Sequence, residues 1–271
     1  MIFSDWIELF SFPFMQRAIL GGVLLGTLGG ILGSFVVLRG LSMYGNTLGH
    51  SAFLAVVIGA YLQLPFTLSL TIFLILFGLV VLYLIDTSNL GSDTILGIIV
   101  AGSVALGTIG FSFLEGYRGN LLSVLFGDIL AISNFDIIFL ILLLLVALLS
   151  LAMTLPQQIL LTFNQDLAQL KGIPVQLYRY SFIVLLSLTL AVSIRAVGIL
   201  LVNAFLVIPA ATAKLLCDRF IPFLGLAAAI GAFSGIIGMT ISGILDLPSG
   251  PSIVLVQLVI FIGSLVWSRL S

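Results

Sequence analysis

The sequence predicts an all-α fold: a polytopic bundle of eight or nine transmembrane helices in one domain spanning residues 1–271, with a short extra helix on the cytoplasmic face. Three observations carry this prediction. Of 271 residues, 61% are hydrophobic and only 7% charged, where soluble domains run near a quarter charged, and the mean hydropathy is +1.37. The apolar residues fall in long continuous runs rather than alternating with period two, which excludes a β-barrel. At roughly 20 residues per span plus short loops, the length accommodates about eight to ten helices. Nine Lys+Arg against ten Asp+Glu leave no basic surplus, so nucleic acid is not an expected partner. One cysteine excludes a disulfide framework and any cysteine-built zinc or iron–sulfur site.

The opening MIFSDWIELFSFPF carries Asp5 and Glu8 and no base before Arg17, so it does not read as a cleaved signal peptide. It reads as an amphipathic lead-in, with Trp6 and its phenylalanines at the lipid interface. Nine apolar stretches follow, near 17–38, 44–62, 66–85, 94–112, 136–154, 177–194, 196–216, 222–243 and 250–268. The glycines of GGVLLGTLGGILG, in the first, imply close helix packing through small residues. Between the fourth and fifth stretches, 119–135 is broken by Gly127 and Asp128 and reads as a short helix or re-entrant element on the outer side. DLPSGPS (246–252) reads as a tight outer turn.

Orientation follows from the bases. With the C-terminus inside, Arg39, Lys171, Arg179, Lys214, Arg219 and Arg269 are cytoplasmic, while Arg17, Arg118 and Arg195 are outside. Nine spans then put the N-terminus outside. The turn SIRAVG (193–198) is the weak point: if it stays within the membrane, 177–216 is organised differently.

The longest polar break, residues 156–176, falls on the cytoplasmic side and contains the signals of a miniature helix. Asn164 caps its start and Asp166 occupies the first turn. Lys171 lies in the last turn, Gly172 takes the left-handed cap and Pro174 prevents continuation. Such a helix is either an ordinary connection or a surface for a partner to push on. No GxxxxGK[ST] occurs in the chain, so energy from ATP would have to come from another subunit.

His50 is the chain's single histidine, and in the second span it shares a helix face with Asn46 four residues earlier. Imidazole is the commonest transition-metal ligand and a carboxamide offers an oxygen, but two donors do not make a site. A packed, hydrogen-bonded histidine and a metal or proton role both remain open on these residues alone. Asn203 in LLVNAFLVIPAATA is a second polar group within a span, with Pro209 following: a satisfied kink or a pathway-lining residue. Asp86 and Asp93 bracket a turn and read as solvated.

Several of these pieces together resemble the membrane permeases of ATP-binding-cassette metal importers of the zinc/manganese class. They are MYGNTLGHSAF (43–53), LLSVLFGDILAIS (121–133), NQDLAQLKGIPV (164–175), VGILLVNAFLVIPAATAKLL (197–216) and LPSGPSIVL (247–255). The zinc-uptake branch looks the nearer, through LFGD and NQDLA. The resemblance implies a multi-pass homodimer in the bacterial cytoplasmic membrane, with membrane lipid around it. It also implies cytoplasmic ATPase subunits docked on a coupling helix through Asp166, Ala168, Lys171 and Gly172. An extracytoplasmic metal-binding protein would deliver the cargo. No cofactor would be bound permanently; the transported zinc or manganese would be the only metal. In the family a D-x-x-x-H pair in the second span lines the metal path. Here His50 matches the histidine, but Asn46 stands where the acid belongs and removes a charge that would help draw a dication from water. Other readings are a permease for iron, a metal chelate or cobalamin, and an intramembrane enzyme, for which no nucleophile–base set lies within the spans.

Overall fold

The computed structural model describes residues 11–114, 129–199 and 202–270, and these are helical with no strand among them. In chain order the helices are α1 (Pro13–Leu38), α2 (Ser42–Tyr61), α3 (Phe66–Thr87), α4 (Ser92–Ser112), α5 (Asn134–Phe163), α6 (Gln165–Leu170), α7 (Val175–Val197), α8 (Val202–Leu216), α9 (Phe220–Leu245) and α10 (Ser249–Leu270). A 3₁₀ turn, Ile129–Ala131, precedes α5. Of the expected elements, the lead-in through residue 10 and the stretch 115–128, which holds most of the outer element, lie outside the described residues.

α1 is the central helix. Gly22, Gly26 and Gly30 recur every fourth residue and form one stripe. That stripe meets Ala227, Gly231 and Gly235 of α9 backbone to backbone, so tightly that a β-carbon at Gly26 or Gly30 would overlap the Gly231 or Ala227 carbonyl. A second stripe, Gly29 and Gly33, receives the carbonyls of Phe205 and Leu206 on α8 in the same way. Lipid tails are as apolar as leucine, so helices here associate by close van der Waals contact, and small residues make that contact possible. Leu25, Leu28, Leu32 and Phe35 fill the remaining circumference and are fully or almost fully buried.

Among the described residues seven helices are long and apolar enough to cross a membrane, against the expected eight or nine. The two that differ do so for different reasons. α2 has 20 residues, but Asn46, Thr47, His50 and Ser51 dilute its hydropathy. It is shielded from lipid by neighbours, with Tyr44, Leu48, Ala52 and Ala55 fully buried and the Tyr44 hydroxyl donating to the Gly78 carbonyl of α3. α8 has only 15 residues, about 22 Å, because it starts against the middle of α1 rather than at the outer surface. The SIRAVG turn therefore stays inside the bundle: α7 runs through it to Val197, and Gly198 ends the helix at φ 87°, ψ 165°, a conformation open essentially to glycine. The expected span 196–216 shrinks accordingly.

α5 departs from expectation in the opposite direction. It continues through Pro156 to Phe163, 30 residues in all, so the first part of what reads as a polar break, 156–163, is the end of a long helix. Proline removes one backbone hydrogen bond, but buried Gln158 and Leu161 hold the last two turns against the bundle. The helix starts with a capping box: Ser133 Oγ accepts from the Asp136 amide, and Asp136 Oδ2 accepts from the Ser133 amide at 2.9 Å.

Polar side chains gather at two opposite ends of the bundle. At one, Arg39 reaches Gln158 and Thr162, and Arg179 pairs with Asp86 at 2.6 Å, so Asp86 is ion-paired rather than merely solvated. At the other, Arg195 pairs with Asp136 at 2.8 Å and Arg17 donates to Asn134. Among the described residues Arg39 and Arg179 thus stand at one end and Arg17 and Arg195 at the other, the grouping that the loop count expects, and α6 with Lys171 lies at the end of Arg39.

Two outcomes follow. Gly26→Ala is expected to lower stability by roughly 1–3 kcal/mol through backbone overlap, whereas Gly97→Ala, whose β-carbon would meet nothing within 4 Å, is expected to leave it unchanged. Thermal unfolding in detergent distinguishes them. A cysteine at position 165 is expected to react with an impermeant maleimide only after cells are opened; labelling of intact cells would reverse the orientation.

Candidate functional site

The polar face of α2 is the first feature built for chemistry. Met43, Asn46, His50, Leu54, Ile58 and Tyr61 lie along one stripe that the rest of the chain leaves partly or fully uncovered. At its centre Asn46 and His50 are half-buried, one helical turn apart, with β-carbons about 5–6 Å from each other by helix geometry. The other polar residues of the helix are internally satisfied. Thr47 and Ser51 donate back to the carbonyls of Met43 and Thr47, and Ser51 bonds Ser103 on α4 at 3.1 Å. Asn46 and His50 show no such bond among the described residues, so their heteroatoms remain free to bind.

The structure brings the third sequence candidate to the same place. Asn203, in the first turn of α8, packs on Gly45, with its Oδ1 2.7 Å from where a β-carbon there would sit. That oxygen is buried and has no hydrogen-bond partner. One turn along, Gly49 receives Ile199 and Val202. Gly45 and Gly49 immediately precede Asn46 and His50, so the α7–α8 break and the polar stripe are built on adjoining faces of α2. Buried, unpaired carbonyl oxygens are costly in a membrane, which gives Asn203 a motive to meet a cation or a water. No group of three His, Cys, Asp or Glu able to hold a metal occurs among the described residues.

The second feature is α6. Asn164 Oδ1 accepts from the Leu167 amide at 2.9 Å, the N-cap the sequence predicts. At the other end Gly172 lies at φ 72°, its amide donating to Gln169 and that of Ile173 to Ala168, a Schellman cap. Ala168 is fully buried with Leu161 and Val175, so of the four residues expected to serve coupling it faces inward and anchors the helix. Asp166, Lys171 and Gly172 are exposed. Sequence reasoning missed the apolar members of this surface: Leu167, Phe163, Leu177 and Leu170, the last 84% exposed. For Leu167 and Leu170 the signal was available, since both are leucines on a short polar helix with no core of its own to face.

The comparisons enter here. The family described as the ABC 3 transport family matches residues 11–268. The manganese transport system membrane protein MntC of Halalkalibacterium halodurans is 35% identical over 254 residues, covering 94% of this chain and 87% of that protein. The high-affinity zinc uptake system membrane protein ZnuB of Haemophilus influenzae is 32% identical over 254 residues, covering 94% and 97%. Among solved structures, that of PsaBC from Streptococcus pneumoniae in complex with Fab superposes with a TM-score of 0.84 at 30% identity, covering 97% of this chain and 95% of that one. The manganese-named relative is matched at least as well as the zinc-named one, so the expected lean toward the zinc branch has no support.

Gly172→Ala is expected to cost about 1 kcal/mol, from the left-handed backbone alone, since open space surrounds the position. Thermal unfolding should register that loss, and Gly172→Asn should recover part of it.

Proposed function

Because the chain belongs to the ABC 3 transport family, we propose that it is the permease subunit of an ATP-binding-cassette importer that carries a divalent transition metal, manganese or zinc, across the bacterial cytoplasmic membrane. The observation that carries this reading is the half-buried Asn46–His50 pair on the uncovered stripe of α2. A transition-metal ion takes four or more ligands, and one chain offers two here. A second copy facing the same stripe across a two-fold axis would double the donors to two imidazoles and two carboxamides, an isologous arrangement. The homodimer is thus part of the same proposal.

The chemistry suits passage rather than storage. Imidazole nitrogen and carboxamide oxygen are neutral, so a dication entering the path gains ligands without a fixed counter-charge. Binding is weak enough for release, which conduction requires. At such N/O donors the Irving–Williams order favours zinc over manganese wherever both are present, so metal availability and geometry rather than affinity would select manganese.

ATP-binding-cassette ATPase subunits would dock on α6, where Asp166 and Lys171 flank the exposed Leu167 and Leu170. The chain itself has no phosphate loop and no enzymatic role. An extracytoplasmic metal-binding protein would deliver the ion at the end carrying Arg17, Arg195 and Asp136.

His50→Ala is expected to abolish metal uptake while the ATPase still co-purifies; unchanged uptake would reduce His50 to a packing residue. Asn46→Asp should tighten metal binding in transit and slow turnover, read from uptake kinetics in proteoliposomes. Competition among manganese, zinc and iron in the same assay identifies the cargo. Asp166→Lys is expected to prevent ATPase docking or separate hydrolysis from uptake; normal co-purification with normal uptake would dismiss α6 as the coupling surface.

A further inference from the structure

Arg39, immediately past the end of α1, is held by side chains of three helices. Its guanidinium donates from Nη2 to Gln158 Oε1 at 2.5 Å and from Nε to Thr162 Oγ1 at 3.1 Å, both on the last turns of α5. It lies over the rings of Phe35 on α1 and Phe182 on α7, 5.3 and 4.5 Å from their centroids. Among the described residues no carboxylate pairs with it: Asp86 is taken by Arg179. Burial, with the positive charge of Arg179 second, lowers its pKa to about 10. The charge is therefore held by hydrogen bonds and ring faces rather than by a counter-ion, and each of those contacts joins α1 to another helix or to its own last turn.

The surrounding connections suggest a role for Arg39. α5, α6 and α7 form one platform, joined by the small core of Leu161, Ala168 and Val175. Arg39 ties the α5 edge of that platform to the end of α1, and Arg179–Asp86 ties the α7 edge to the end of α3. Those are the two helices that flank α2 in sequence. Only Gly40 and Leu41 separate Arg39 from Ser42, where α2 begins, and the Leu41 amide is fixed to the Val36 carbonyl at 2.9 Å. Gly40 takes φ 67° and its amide donates to the Val37 carbonyl, so the link closes as a Schellman cap that ties the start of α2 to the end of α1.

We propose that Arg39 is a positioning residue that carries displacement of the α5–α6–α7 platform to the start of α2, and so to Asn46 and His50 one to two turns further on. The assignment rests on the permease reading above. The planar guanidinium suits it, because its fork grips Gln158 and Thr162 together while the group stays over two aromatic rings, which a lysine ammonium cannot reproduce.

The test reads α2 directly and needs no cargo. In a complex with its ATPase, with Cys217→Ser and a single cysteine at Met43, maleimide reactivity is compared without nucleotide and with a non-hydrolysable ATP analogue. With Arg39 present the rates should differ by about tenfold, and in Arg39→Met the difference should fall below about twofold with the ATPase still bound. Arg39→Lys should retain only part of it. The double variant Arg39→Met/Gln158→Leu, apolar on both sides, should regain thermal stability but not the nucleotide response. An equal response in the parent and Arg39→Met, no response in the parent, or full recovery in the double variant would each overturn the proposal. Uptake of manganese and zinc by the parent is measured separately. A nucleotide response at position 43 without metal uptake would count against the cargo and leave the role of Arg39 standing.

Discussion

The contact on which the rest of the bundle depends is the backbone-to-backbone seam of α1 against α9 and α8. With glycine at 22, 26, 30, 29 and 33, α1 approaches two helices at once more closely than any side chain would allow. In a membrane the hydrophobic effect drives no helix against another, so such proximity is where packing energy is gained. The seam has a geometric consequence. With α8 drawn onto the middle of α1, Ile199 and the N-terminal turn of α8 are held against Gly45 and Gly49 of α2.

That placement makes a polar helix tolerable. α2 is too polar to face lipid along its length, and it does not: its apolar and small residues are packed into the bundle, and its serine and threonine hydroxyls are returned to its own carbonyls or to Ser103. What remains uncovered is the stripe with Asn46 and His50 at its centre. Polar groups that a bundle neither satisfies nor hides are those left for a ligand or a second chain. The neutrality of Asn46 fits a path in which the ion must leave as readily as it enters.

The cytoplasmic end is organised by a different force. There α6 is defined by its own caps, Asn164 and Gly172, and is held by a core of three residues, so it stands as a rigid piece on a small base. Long-range attachment of this piece comes through charged and aromatic groups: Arg39 among Phe35, Phe182, Gln158 and Thr162, and Arg179 with Asp86. The apolar seam in the membrane is a fixed contact, whereas hydrogen bonds at a wetted edge can be exchanged. Movement is therefore easier to accommodate at this end than along α1.

What the sequence determined by itself were the properties that sum over neighbours in the chain. Hydropathy set the class and the short loops. Cap residues set α6 to within a residue at both ends, and i, i+4 spacing put Asn46 and His50 on one face. The glycine stripe announced close packing, though not with which helices. The tertiary structure alone decided the rest. It stopped α8 at 15 residues and carried α5 through Pro156. It turned Ala168 inward, set Asn203 on Gly45 and gave Arg39 its partners on α5 and α7. The reason is physical. A continuously apolar helix has no single face that must be buried, so its own sequence does not fix its rotation or depth. Those are fixed by where two backbones can meet, as at Gly26 and Gly231, and by which distant side chains that meeting brings within hydrogen-bond reach.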